Sequence, residues 1–218
     1  MLEVTDLDDA SLRRLIEERL RGSQPKLDPE ALRLPGIPGD LPPQLRPQLR
    51  AQPLTPAAVL VPLVERAAGL HVLLTQRTAH LRDHAGQVSF PGGRMERDDA
   101  NPAATALRET FEEIGLEAQY IEITGYLDTY LTVTGFSVVP VVAFVREGFS
   151  LALDEFEVAS VFEVPLRFIL DPANHVLRRK DLHGVEVGYY EIPYEGQHIW
   201  GATAGMLVGL YQRLSKVD

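Results

Sequence analysis

The sequence predicts an α+β fold. Strand-like and helical segments are mixed without the regular β-α-β alternation of a doubly wound sheet. Two pairs of apolar, β-branched runs are separated by short breaks of hairpin type. One helix carries its own start and stop signals. With 218 residues the chain has enough length for one full core and a modest extension. We expect one domain over residues 57–218, preceded by a helix and proline-rich arm over residues 1–56.

In order along the chain, Leu12, Leu15, Ile16 and Leu20 recur at helical spacing, which predicts a helix over 3–21. Pro25, Pro29, Pro35, Pro38, Pro42, Pro43, Pro47, Pro53 and Pro56 follow, a density that no long helix or central strand tolerates. This stretch reads as an irregular arm or linker. Ala57–Val64 and His71–Arg77 form the first hairpin, around Ala67-Ala68-Gly69. Residues 102–114 are the patterned helix. Glu117–Asp128, Phe136–Arg146 and Ala159–Pro165 read as strands, and Leu166–Leu170 as a short helix. Val176–Leu182 and Val185–Ile192 make a second hairpin. Thr203–Lys216 closes the chain as a helix with Met206, Leu207, Leu210 and Leu214 on its apolar face.

Composition excludes several classes of function. There is no cysteine, hence no disulfide scaffold, thiol chemistry or cysteine-held metal, and a reducing cytoplasm suits the chain. The net charge of −10 leaves no surplus of cations for a nucleic-acid backbone. No apolar run approaches the roughly 18 residues of a membrane span. Acidic and basic residues from Glu3 to Arg14 interrupt any secretory pattern. The expected partner is a small molecule, with neither nucleic acid nor membrane involved.

The chemistry concentrates in Phe90–Leu116. Asn101 is a good N-cap, Pro102 suits the first helical position, and Gly115 suits the left-handed residue that ends a helix. At about 100° per residue, Ala103, Ala106, Leu107, Thr110 and Ile114 fall on one side and Glu109, Glu112 and Glu113 on the other. Acidic helix faces are usually only solvated. Here, however, the face follows Gly92-Gly93, where backbone approaches a ligand closely. Arg108, four residues before Glu112, offsets part of the repulsion. A divalent cation would offset it better, and an oxygen-only donor set favours Mg²⁺ or Mn²⁺.

Gly93, Arg108-Glu109, Glu112-Glu113 and Gly115-Leu116 resemble the Nudix box of the Nudix hydrolase superfamily. The helical half matches fully. The loop half departs: Asp99 stands where the general pattern has Glu, and the gap to Arg108 is one residue longer. A narrower resemblance accounts for the departure. Leu73-Leu74-Thr75-Gln76-Arg77 and the run Leu81 to Gly93 look like the motif of the coenzyme A pyrophosphatase branch. So do Thr132–Phe136, Phe162–Leu166 and Ile199–Ala204. Together these matches cover roughly residues 57–210.

The resemblance implies a Nudix-type α/β/α sandwich with a mixed central sheet. It also implies attack of water on a diphosphate linked to another group; for coenzyme A the products are 3′,5′-ADP and 4′-phosphopantetheine. Glu109, Glu112 and Glu113 are implied as metal ligands, with Gly93 beside the metal and Arg108 orienting the cluster. For the base, Glu112 and Glu157 stand as alternatives. Arg77 and Arg82 are the candidates to meet phosphate, because a guanidinium fork matches its oxygens. His84 and Gly92 are further candidate substrate contacts. Phe136 and Trp200 could stack on adenine or pack the core, and both read as core. Other substrates weighed are ADP-ribose, NADH and dinucleoside polyphosphates; a nucleotide sensor without catalysis is the remaining alternative. Many members of the family pair, so a homodimer is a further expectation.

Overall fold

The computed structural model describes residues 4–25, 53–80, 85–132, 134–182 and 184–216. Most of the proline-rich arm lies outside these residues, as do Arg82 and His84. The elements, in order, are α1 (Asp9–Leu20), β1 (Thr55–Arg66), β2 (Gly69–Arg77), β3 (Val88–Ser89), β4 (Gly92–Arg94), α2 (Pro102–Ile114), β5 (Ile121–Tyr126), β6 (Tyr130–Leu131) and β7 (Phe136–Val145). They continue with β8 (Val158–Pro165), α3 (Leu166–Leu170), β9 (Val176–Leu182), β10 (Val185–Tyr194), β11 (Gln197–Trp200) and α4 (Gly201–Ser215).

The main sheet runs β3-β2-β1-β7-β5, with β4 on β1, β6 on β7 and β8 on β2. β1 and β7 pair in parallel and the other pairs are antiparallel, so the sheet is mixed. A separate three-stranded sheet runs β11-β10-β9. β1 is central and buried on both faces, which is why it reads as a continuous apolar run rather than an alternating one. Ala58 and Leu60 face α2, where Ala103 and Ala106 let the helix lie close to Val139, Val141 and Ala143. Val61 and Leu63 face the other way, toward α1 and α4. Helices on both faces give the α/β/α layering.

Two prolines lie inside central strands, against the usual rule. Pro62 falls in the gap where β1 changes partner, between its pairing with β4 (Ala57–Val59) and with β2 (Leu63–Arg66). Its missing N–H therefore interrupts neither ladder. Pro140 on β7 lies opposite Val59 and accepts from Leu127 N at 3.1 Å.

The short strands β4, β6 and β11 are additional to the sequence reading, β11 adding a third strand to the second hairpin, and two predicted elements change. The first helix breaks into a 3-10 turn, Val4–Asp6, and α1 proper. The break is set by Asp8, whose carboxylate accepts from Ser11 N at 2.7 Å as an N-cap. The segment from Glu117 opens as a 3-10 turn, Ala118–Tyr120, and becomes strand at Ile121. The chain has to swing from the end of α2 into the sheet, and the turn absorbs that change of direction.

α1 shares the main core. Leu12, Ile16 and Leu20 are fully buried alongside Phe144, Leu210 and Leu214. Arg13 fastens the helix to the sheet: it pairs with Glu17, Glu65 and Glu122 and lies 3.9 Å from the centre of the Phe144 ring. Ile16→Ala is therefore expected to cost about 2–5 kcal/mol in urea denaturation. A loss under about 0.5 kcal/mol would mean that α1 is peripheral to the fold.

Candidate active site

α2 forms as its sequence signals indicate. Asn101 Oδ1 accepts from Ala104 N at 3.0 Å, Pro102 opens the helix, and Gly115 ends it at φ 68°, donating to Phe111 O at 2.8 Å. The helix is anchored at both ends by loops. At its C-terminal end, Asp154 N donates to Glu113 O and Ala152 N to Ile114 O, each at 2.9 Å. At the other end, the loop after β4 is tied down through Arg108.

Arg108 is the hub. Its Nε and Nη2 grip Asp99 as a two-pronged fork, at 3.1 and 2.9 Å. Nη2 also donates to Arg94 O at 3.1 Å. Nη1 reaches Glu109 at 2.9 Å and Glu112 at 3.0 Å. Asp99 is satisfied in turn by Glu96 N and Thr105 Oγ1, both at 2.9 Å. Arg108 holds the Asp99 carboxyl well below the usual carboxylate range. The role of Asp99, open from the sequence, is thus to fix Arg108 in the geometry seen here. Asp99 and Arg108 meet fork to fork while lying nine residues apart in the chain, a relation that spacing alone does not reveal.

The three glutamates have different surroundings. Glu112 points outward, its side chain 56% exposed. Glu113 is turned in, 6% exposed, and accepts from Gly92 N at 3.1 Å. Burial pushes its carboxyl up to about 7, against the opposing pull of the Gly92 N–H and of Arg77. Glu109 is intermediate, and burial raises it too. Both glycines are required here. A Cβ on Gly93 would sit 2.5 Å from the Glu109 carboxyl. Gly92 has φ 149°, and a Cβ there would sit 2.5 Å from the Val59 Cα.

β2 delivers Arg77 to the same place. Its guanidinium lies 3.5 Å from Glu113 and 3.9 Å from Glu157, the residue that leads into β8. Glu109, Glu113, Glu157, Arg77 and the Gly92–Gly93 backbone therefore share one site. Trp200 and Phe136 are half-buried. Phe136 packs against the main core beneath Arg94, whose guanidinium is 5.3 Å from its ring centre, and Trp200 sits edge-on to Tyr189 at 6.0 Å. Thr203, at the start of α4, supports β3 by donating to Val88 O at 3.0 Å.

The NUDIX domain family model matches residues 54–180. The chain is 44% identical over 170 residues to an uncharacterized Nudix hydrolase, NudL, of Citrobacter koseri, covering 75% of this chain and 85% of that protein. The protein so named in Escherichia coli K12 is 42% identical over the same shares.

The chain belongs to the Nudix hydrolase family.

Among solved structures, a MutT/nudix family protein from Enterococcus faecalis is similar with a TM-score of 0.46 and 18% identity, over 78% of this chain and 68% of that one. Nudix hydrolases generally use divalent metal ions; among the described residues no three acidic or histidine side chains converge as a ready metal cluster, and Glu109 and Glu113 offer two carboxylates for one. Glu109 and Glu113 are oxygen donors held against backbone, and both are stripped of water to a degree that disfavours their charge unless a cation joins them. Among the described residues, no helix is long and apolar enough to cross a membrane.

Asp99→Asn tests the bracket. At pH 7 it should cost about 1.5–3 kcal/mol, the range for hydrogen bonds to charged groups. Asp99 titrates lower in the folded chain than its unfolded value of about 3.9. Its stabilisation is therefore full above that pH and is lost as pH falls through it toward the folded value. Denaturation curves of the two proteins should differ at pH 7 and converge toward pH 2.5. A gap that does not change with pH would contradict the role given to Asp99.

Proposed function

We propose that this chain hydrolyses the diphosphate of coenzyme A or its derivatives, releasing 3′,5′-ADP and (acyl-)4′-phosphopantetheine, with Mg²⁺ or Mn²⁺. The observation that carries the reading is the position of Arg77, where the run Leu73–Arg77 ends. This residue, from the stretch that resembles the coenzyme A pyrophosphatase motif, lies against Glu113 of the carboxylate helix.

Glu109 and Glu113 would hold the cation, with Glu112 completing the set and the Gly93 backbone beside it. A cation held there would supply charge to offset the diphosphate and would make a water beside it more acidic. Arg108, fixed by Asp99, keeps Glu109 and Glu112 oriented. Arg77, beside Glu113 and Glu157, would exchange those carboxylate partners for a diphosphate oxygen. Gly92, its Cα packed against β1, could meet the substrate only through its backbone. Arg82 and His84 complete the proposed substrate contacts from the same motif. Two carboxylates are candidates to take the proton of the attacking water. Glu112 is the exposed one on the helix; Glu157 stands on the turn ahead of β8, 3.9 Å from Arg77. Deleting each separately at saturating metal would tell them apart, since loss of the base then lowers kcat in a way that eases as pH rises. The absence of cysteine supports a reducing, cytoplasmic setting, and a homodimer belongs to the same proposal.

A hydrolysis panel tests the reading. With Mg²⁺ or Mn²⁺, coenzyme A should yield 3′,5′-ADP faster than ADP-ribose, NADH or dinucleoside polyphosphates yield their products. Glu113→Gln should lower kcat/KM by at least the roughly 100-fold that outer-shell groups of metal sites can carry. Better turnover of another diphosphate would move the assignment to that substrate. Unchanged activity in both Glu112→Gln and Glu113→Gln would remove catalysis from this helix.

A further inference from the structure

Phe156 is the most exposed large apolar side chain among the described residues, 65% open to solvent. A single exposed apolar residue is ordinary, so its setting has to carry any meaning. Three features of that setting do.

The loop that carries it is fixed. Phe156 N donates to Asp154 Oδ1 at 2.9 Å, and Phe156 O accepts from the buried Thr78 Oγ1 at 2.8 Å. Thr78 N donates to Glu157 O at 2.9 Å, and Asp154 N ties the loop to α2. An apolar ring held out in water by this many bonds is pre-organised, and little ordering remains to be done on binding.

The ring also has a companion. His80, exposed on the turn after β2, packs on it with centroids 4.8 Å apart and planes tilted by 59°. Two flat π-surfaces at an angle form a notch suited to a planar ring, which stacks on one face and meets the edge of the other. A flexible hydrocarbon chain would require neither planarity.

The last feature is distance. Phe156 is the chain neighbour of Glu157, about 3.8 Å away by Cα, and the Glu157 carboxylate is 3.9 Å from Arg77. The notch is carried by two segments, residues 78–80 and 154–156, whose neighbours Arg77 and Glu157 belong to the charged cluster that would hold a diphosphate.

We propose that Phe156 and His80 form the stacking platform for the nucleobase of the substrate and set the register of its diphosphate against Glu109 and Glu113. This rests on the site being that of a nucleoside diphosphate hydrolase. The base lies on the open face of Phe156, the imidazole closes one side, and the ribose leads to Arg77.

Binding measured by calorimetry separates the proposal from the reading beneath it, because it needs no turnover. The probes are AMP, ribose 5-phosphate and 4′-phosphopantetheine, with wild type and the variants Phe156→Ala, Phe156→Trp and His80→Ala. Stacking of one base corresponds to roughly 5- to 150-fold in affinity. Phe156→Ala should weaken AMP at least about fivefold and leave ribose 5-phosphate unchanged. Phe156→Trp should retain AMP, and His80→Ala should weaken it in the same base-dependent way. The proposal is overturned by any of four results: no AMP binding to wild type, unchanged AMP binding in Phe156→Ala, equal losses for AMP and ribose 5-phosphate, or a loss confined to 4′-phosphopantetheine. Hydrolysis of coenzyme A and ADP-ribose by wild type, followed in parallel, shows whether the nucleoside diphosphate reading itself stands. Because the Phe156 side chain points to solvent, its variants are expected to fold.

Discussion

A carboxylate taken out of water must find compensation, and Glu113 is the residue on which this structure places that demand. Its side chain is enclosed between α2 and the double-glycine turn, with one backbone N–H and a guanidinium 3.5 Å away as partners. Those partners offset the desolvation only in part, and the carboxyl remains biased toward its neutral form. Much of the surrounding architecture follows from keeping that group where it is. Gly92 has no side chain because its Cα lies against β1, and Gly93 has none because Glu109 fills the space. The loop ahead of β8 caps the carbonyl of the same glutamate. The proposed cation would supply the positive charge that this carboxylate lacks.

The second constraint is the Arg108 fork. A lone arginine among three glutamates could pair with any of them, and a flexible choice would leave the helix face undefined. Asp99 removes that freedom. It takes one edge of the guanidinium, and the opposite nitrogen is left to hold Glu109 and Glu112 together. Asp99 thus acts on the chemistry only through Arg108; it is a positioning residue.

Much of this was legible in the sequence because it is local. The caps of α2, its acidic face, the hairpin at Ala67–Gly69 and the closing helix all depend on residues within one or two turns of each other, where periodicity and capping rules apply. What was not legible depends on tertiary contact. A helical projection puts Glu109, Glu112 and Glu113 on one face; it cannot say that Glu113 is buried and Glu112 exposed, since that depends on where the Gly92 backbone and the loop before β8 come to rest. Asp99 looked like a flawed match because its value lies in a bridge across nine residues. Pro62 sits inside a central strand without harm because β1 changes partner there, which only the pairing shows. Phe156 and His80 carried no motif, and only the tie between Thr78 and the Phe156–Glu157 backbone brings them together.

The central claim is that Glu113 and Glu109 form the seat of a divalent cation. Its most direct test is titration of the protein with Mn²⁺, following the electron paramagnetic resonance signal of the free ion. Wild type should deplete that signal, and more strongly at pH 8 than at pH 5.5, because the cation competes with the proton on Glu113. Glu113→Gln should weaken the binding at pH 8 by about tenfold or more. If Glu113→Gln and Glu109→Gln both bind Mn²⁺ as wild type does, the seat lies elsewhere and the buried carboxylate has another purpose.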